Sequence, residues 1–289
     1  MKITIKNSWA VLIEEFDLNQ ATDDEINAIG KYILTNMTVA IRGQQLTKQE
    51  EIAICERFGQ VQQWTLTDRP VQGGIWEKDA DNKIHRVTGG LDEHGLPGLF
   101  GHVSDLDWHC NATYYAERKT LIWLYGVRGT VGSRTSWINN ILTYEALQKD
   151  DPEFFNQIKD YKLVCGYERG RYSPNKMNVK DKDINPYFNP SLVYTNPQSG
   201  VTGFFLSPLQ IFYFIDNGVN MSEEESKPIL ERLMAYITQE RFMYHHDWQD
   251  GDLVLSDQWF SIHKRWKFDA MDKRLLHRME CDFSKITFN

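Results

Sequence analysis

The chain has 289 residues, 41% hydrophobic and 25% charged, the composition expected of a soluble globular protein and long enough for one large domain or two small ones. Its formal net charge of −8 argues against general affinity for nucleic acid or anionic membrane, both of which reward basic surfaces. No apolar run approaches the roughly 18 residues needed to span a bilayer, and Met1-Lys-Ile-Thr-Ile-Lys6 lacks a signal peptide's apolar core, so a cytoplasmic location is expected.

Thr22-Asp-Asp-Glu25 opens an apolar-periodic stretch that predicts a helix, and Met37-Thr-Val-Ala-Ile-Arg-Gly43 reads as a strand. Leu46-Thr-Lys-Gln leads through a second helix to Arg57-Phe58-Gly59. A glycine-rich region over about 68–107 has few periodic apolar positions; it predicts either a lid over a site or a plain surface excursion. Thr120-Leu-Ile-Trp-Leu-Tyr-Gly126 is rich in strand formers and predicts a buried strand. Tyr144 to about Lys159 reads as helical. Ser222-Glu-Glu-Glu225 is a capping box, starting a helix that runs to about Gln239. Asp250-Gly251 signals a tight turn, and Leu253 and Leu255 then alternate with Asp252 and Val254, placing His263 shortly after a strand pair. Strands in the second half, preceded by helices, predict an α+β, mainly β fold: a double-stranded β-helix or jelly-roll, cupin-like core with flanking helices, spanning 1–289 as a single domain. In that fold His109 and His263 would meet across two facing sheets. Cys55, Cys110, Cys165 and Cys281 have no Cys-x-x-Cys spacing and are expected to be reduced core thiols.

The chemistry concentrates in two segments. Two histidines and a carboxylate on one face of Fe(II) leave positions open for a co-substrate and O₂. A His-x-Asp pair on a strand suits this, because residues two apart project from one side of the pleat. His109 and Asn111 have that spacing, His263 would arrive from a distant strand, and Asn111 stands where the carboxylate is expected. Cys110, between them, should point to the opposite strand face. His85, His94, His102, His245, His246 and His277 lack such context and are expected to be structural or exposed.

These segments together resemble the taurine dioxygenase (TauD/TfdA-like) superfamily of Fe(II)- and 2-oxoglutarate-dependent oxygenases. The helix, strand, Arg42-Gly43-Gln44, helix, Phe58-Gly59 order resembles the family's opening; Gly132-Ser-Arg-Thr135-Ser-Trp137 and Arg274-Leu-Leu-His-Arg278 resemble later segments, so the match runs from about residue 20 to 282. The resemblance implies that His109 and His263 bind the metal, with Asn111 in place of its acidic ligand. It implies that Arg274 grips the distal carboxylate of 2-oxoglutarate through a bidentate fork, and that Thr135 adds a hydroxyl hydrogen bond. Arg278 would face the same cavity, where some relatives meet an anionic group of the substrate.

The implied activity is that of an oxidoreductase hydroxylating an unactivated C–H of a small polar or amino-acid-like metabolite, coupled to O₂-dependent decarboxylation of 2-oxoglutarate to succinate. Trp108, Tyr114, Tyr115, Trp259 and Phe260 are apolar walls or core, and Arg278, with Arg128 or Arg134, would favour an anionic or zwitterionic substrate. Asn111 keeps two alternatives open. One is a halogenase, in which chloride restores the missing negative charge. The other is a non-catalytic member, natural or made by an introduced Asp-to-Asn change, that binds small molecules. No nucleic-acid or membrane partner is expected, and a homo-oligomer stays open.

Overall fold

The computed structural model describes residues 1–63, 80–90, 103–111, 120–165, 189–197, 199–269 and 274–287. It opens with a hairpin of β1 (Lys2–Lys6) and β2 (Ala10–Glu14) that has no Asn-Gly or Asp-Gly signal; Asn7 and Ser8 take positive φ instead. The helix α1 (Asp23–Asn36) starts at the expected box, in which Thr22 and Glu25 satisfy each other's amides. After β3 (Thr38–Ile41), a second box from Thr47 and Glu50 starts α2 (Lys48–Cys55).

Next come β4 (His85–Thr88), β5 (Leu106–His109), β6 (Leu121–Arg128) and β7 (Arg134–Asn139). The glycine-rich region therefore contains two strands, β4 and part of β5, which corrects its reading as one loop; its remainder lies largely outside the described residues. The single helix expected from Tyr144 to Lys159 is two, α3 (Asn140–Asp150) and α4 (Pro152–Ile158). Pro152 has no amide hydrogen to continue α3, and Asp151 caps the second helix by accepting from Phe154 N–H.

The chain continues through β8 (Lys162–Cys165), β9 (Val193–Thr195), β10 (Thr202–Phe204), β11 (Ile211–Asp216) and β12 (Val219–Asn220). The expected Ser222–Glu225 box starts α5 (Glu223–Ile237). The closing strands are β13 (Met243–Asp247), β14 (Leu253–Asp257), β15 (Ser261–Arg265) and β16 (Leu275–Cys281).

Among the described residues a seven-stranded sheet has the order β1-β2-β3-β14-β6-β16-β4, and a four-stranded sheet the order β13-β7-β15-β5. From β4 to β7, and again from β13 to β16, successive strands alternate between the two sheets, as in the expected double-stranded β-helix. Ile122, Leu124, Val254 and Leu276 of the larger sheet pack with Trp137 and Tyr244 of the smaller, so the sheets face each other. The larger sheet's other face, through Trp123, Leu253 and Leu255, meets Ile26, Ile29 and Ile33 of α1. The smaller sheet's outer face, through Ile138 and Ile262, meets Leu147, Phe154, Leu230 and Leu233 of α3, α4 and α5. A sheet packed on both faces hides both side-chain rows. That is why β14, expected to alternate, is buried at every position. All four cysteines are free and buried, as expected. Among the described residues no helix is long and apolar enough to cross a membrane.

Candidate active site

His263 lies inside β15 rather than after a strand pair, and its register partner is His109 at the end of β5. Directly opposed residues of an antiparallel pair project to the same face within reach of each other, and the two imidazole centroids are 4.3 Å apart. The histidines thus meet on neighbouring strands of one sheet, not across two facing sheets. From the facing sheet come Arg278 in β16 and Arg274 just before it. Asn111 was expected to share a strand with His109, but β5 ends at His109 and Asn111 follows in a bend. That bend is pinned on its backbone: Cys110 N–H donates to Ser207 Oγ at 3.1 Å, and Asn111 N–H to Gln258 Oε1 at 2.9 Å. Cys110 turns its side chain into the core, as its position between the two predicts.

His109, Asn111, Thr135, His263, Arg274 and Arg278 all line one cavity between the sheets, walled by Val87, Leu106, Ile122 and Leu124. Arg265 lines it as well. It stands two residues beyond His263, so the period-two alternation of β15 is the signal that marks it. Among the described residues no acidic side chain lines this cavity.

Burial governs protonation here. It pulls His109 down to about 4, opposed by a hydrogen bond to the Asp107 carbonyl and reinforced by Arg278 and Arg265. His263 is held well below its ordinary value by burial, then by His109 and Arg278. Both rings are therefore neutral near pH 7, the form that ligates a metal. His109 Nδ1 is 2.6 Å from the Asp107 carbonyl oxygen, so Nδ1 carries the proton and Nε2 keeps its lone pair. His263 Nδ1 is buried without a hydrogen-bond partner.

These nitrogens fit a metal ion. Among the described residues Asn111 hydrogen-bonds through its backbone N–H, and the residue lines the cavity beside His109. Among the described residues no group of three His, Cys, Asp or Glu is placed to hold a metal. The site is therefore suited to two nitrogens and a neutral oxygen, and lacks the negative charge of a complete triad.

Arg274 is 3% exposed. Its guanidinium donates to Ser133 Oγ at 3.3 Å and the Thr88 carbonyl at 3.5 Å and lies 4.7 Å from the Phe268 ring centre. None of these partners is a carboxylate, and burial, then Arg265, lowers the pKa of Arg274 to about 9. A buried cation in this state is costly, and an incoming carboxylate relieves it. Thr135 Oγ1 faces the same space and accepts the indole N–H of Trp248 at 3.0 Å.

Arg278 differs, because its guanidinium donates to the Glu280 carboxylate on the same strand. Of the other arginines considered, Arg134 forks onto Asp247 at 2.7 and 3.1 Å at the surface, and Arg128 does not line the cavity. Trp108, Trp259 and Phe260 pack in the core clusters instead of walling the cavity. Tyr114, Tyr115, His94 and His102 lie outside the described residues. The remaining histidines are structural. His245 bonds Ser136 and Glu240, His246 lies between Tyr244 and Asp252, His277 bonds Glu51, and His85 is buried in β4.

Residues 5–279 match the family described as taurine catabolism dioxygenase TauD, TfdA. Pentalenolactone F synthase of Streptomyces avermitilis is 22% identical over 272 residues, covering 89% of this chain and 85% of that protein. The alpha-ketoglutarate-dependent 2,4-dichlorophenoxyacetate dioxygenase of Cupriavidus pinatubonensis is 25% identical, covering 93% of each. The crystal structure of AAD-2 in complex with Mn(II) and N-oxalylglycine superposes with a TM-score of 0.73 at 19% identity, covering all of both chains, and shows the fold to be shared. These relatives lend no support to the halogenase alternative.

Proposed function

Because the chain belongs to the TauD, TfdA family of Fe(II)- and 2-oxoglutarate-dependent dioxygenases, we propose that it hydroxylates an unactivated C–H of a small anionic metabolite. In this reading His109 and His263 hold the iron, Asn111 offers it a neutral oxygen, and Arg274 and Thr135 hold 2-oxoglutarate. The carrying observation is the pairing of two neutral, register-matched histidines with a buried arginine that has no carboxylate partner among the described residues, across one inter-sheet cavity. When bound, iron and 2-oxoglutarate supply O₂ activation coupled to release of succinate and CO₂.

The chain's own residues orient and enclose. The Asp107 carbonyl fixes the tautomer of His109, and Trp137 stacks on His263 at 6.2 Å between ring centres, limiting its rotation. Val87, Leu106, Ile122 and Leu124 keep the reacting space dry, which strengthens every charge interaction within it.

An anionic substrate is favoured by charge. Three arginines and no acid line the cavity among the described residues; Glu280 offsets Arg278, and 2-oxoglutarate would engage Arg274. Arg265, which feels the charge of Asp105, adds a third guanidinium to the lining. A relative whose name specifies 2,4-dichlorophenoxyacetate, a carboxylate, is consistent with that preference.

The test is succinate release with Fe(II), 2-oxoglutarate and O₂ across a panel of small carboxylic acids and their neutral amides. Stimulation by acids over amides, abolished in His109→Ala, is expected. Full activity in His109→Ala would overturn the assignment, and equal stimulation by amides would overturn the anionic preference.

A further inference from the structure

The Thr135 hydroxyl is held in a directed state. Its oxygen accepts the Trp248 indole N–H at 3.0 Å, the one side-chain hydrogen bond it makes among the described residues. An indole N–H can only donate. One lone pair of Thr135 is thus occupied, while its own proton has no acceptor among the described residues and is available to the cavity that Thr135 lines with Arg274.

Trp248 is itself locked. It is 2% exposed, and its ring meets His246 edge-on at 4.8 Å between centres. His246 is fixed by Tyr244 at 2.9 Å on Nδ1, with Asp252 at 2.9 Å from Nε2, and Arg42 reaches the same Asp252 oxygen at 3.3 Å. The Trp248 amide also donates to the Ser133 carbonyl at 3.1 Å, two residues before Thr135. This cluster joins β13 and the turn after it to the cavity edge of β7.

We propose that Trp248 is a positioning residue for the co-substrate: by donating to Thr135 it turns that hydroxyl into a dedicated donor toward a carboxylate. The inference rests on the reading that Arg274 and Thr135 hold 2-oxoglutarate. A hydroxyl whose oxygen accepts a hydrogen bond becomes a stronger donor, because chains of hydrogen bonds polarise one another. The same arrangement disfavours a ligand group that must donate at this point. Trp248 touches neither substrate nor metal in this scheme and acts through Thr135 alone.

The test is calorimetric titration of 2-oxoglutarate into Mn(II)-loaded protein, which needs no turnover. Trp248→Phe keeps an aromatic ring of smaller size but removes the donor and should weaken binding about fivefold, with Mn(II) affinity measured alone unchanged. Thr135→Val should weaken it about tenfold, Thr135→Ser should restore it, and Trp248→Phe added to Thr135→Val should cost nothing more, since the coupled partner is already gone. Wild-type affinity in Trp248→Phe, or losses that multiply in the double variant, would overturn the proposal.

Arg274→Ala separates the two claims. If it binds normally, the pocket reading fails; if it binds poorly while Trp248→Phe binds normally, only the role of Trp248 fails. Should Trp248→Phe not fold, the indole N–H resonance of Trp248 provides a second readout. It should move downfield when 2-oxoglutarate binds the wild type, and the ligand-induced move should be absent in Thr135→Val. An indole resonance indifferent to the ligand would overturn the proposal.

Discussion

In the proposed site a neutral amide at Asn111 stands where a carboxylate would balance the charge of the metal. The surrounding cations, Arg265, Arg274 and Arg278, make that charge more valuable here than in a neutral pocket. Asn111→Asp is therefore expected to tighten Mn(II) binding at least about tenfold, or about 1.4 kcal/mol; unchanged affinity by titration would show that residue 111 does not face the metal. Arg274 carries a second trade. Replacing a buried charge by an apolar side chain of similar volume is neutral or stabilising by about 1–4 kcal/mol. Arg274→Met should accordingly raise the melting temperature of the ligand-free protein yet abolish the rise on adding 2-oxoglutarate, both read in one thermal-denaturation series. The four residues His109, His263, Thr135 and Arg274, which the structure brings to one cavity, could be picked out beforehand because each sits in a local segment that resembles the family's. The neutralisation of Arg278 was not singled out, although Glu280 stands on the same face two residues on, because parity alone does not show that two side chains pair. The bond from Trp248 to Thr135 links positions 113 apart, and no local pattern encodes it.

The turn that delivers β14 shows how an element is fixed by one residue. Gly251 has φ +84, and a Cβ there would lie 2.6 Å from the Gln44 carbonyl oxygen. Gln44 in turn donates its N–H to the Gly251 carbonyl at 2.8 Å and its side-chain amide to the Phe16 carbonyl at 2.7 Å, so the Arg-Gly-Gln segment serves as a clamp on this turn. Gly251→Ala should cost about 1–3 kcal/mol, measured by denaturant unfolding; a neutral result would mean the turn relaxes freely. Beside it, burial pushes the Asp250 carboxyl up, but the N–H and hydroxyl of Thr130 and the N–H of Gly129 outweigh that and leave it below its usual range. A carboxyl with a lowered folded pKa adds stability that is complete above its unfolded value, about 3.9, and is lost as pH falls through the lowered one. The stability gap between wild type and Asp250→Asn should hold steady from pH 7 to about 5 and close in stronger acid. A gap that widens on acidification would contradict the sign. The capping boxes and the turn were readable because each is a local pattern. The break at Pro152 was also written in the sequence but is easily overridden by the apolar spacing on either side.

The whole molecule is layered as helices, sheet, sheet, helices, with the cavity between the sheets. This explains why the site draws histidines from one sheet and Arg274 and Arg278 from the other, an arrangement that depends on the sheet order and not on distance along the chain. The fold class was legible from the succession of strands and helices, but the assignment of β5 and β15 to the same sheet was not, because pairing between His109 and His263, 154 positions apart, leaves no mark in either segment. The net charge of −8 coexists with a cavity bearing three arginines and no lining acid among the described residues, so the proposed anion preference would belong to the cavity and not to the surface. The most direct test of the proposed iron and 2-oxoglutarate site is anaerobic titration of the protein with Fe(II) and 2-oxoglutarate, following the weak visible charge-transfer band of the chelate. The account predicts a band that saturates at one iron per chain and disappears in both His109→Ala and Arg274→Ala. A wild type that shows no band, with Asn111→Asp silent as well, would contradict it.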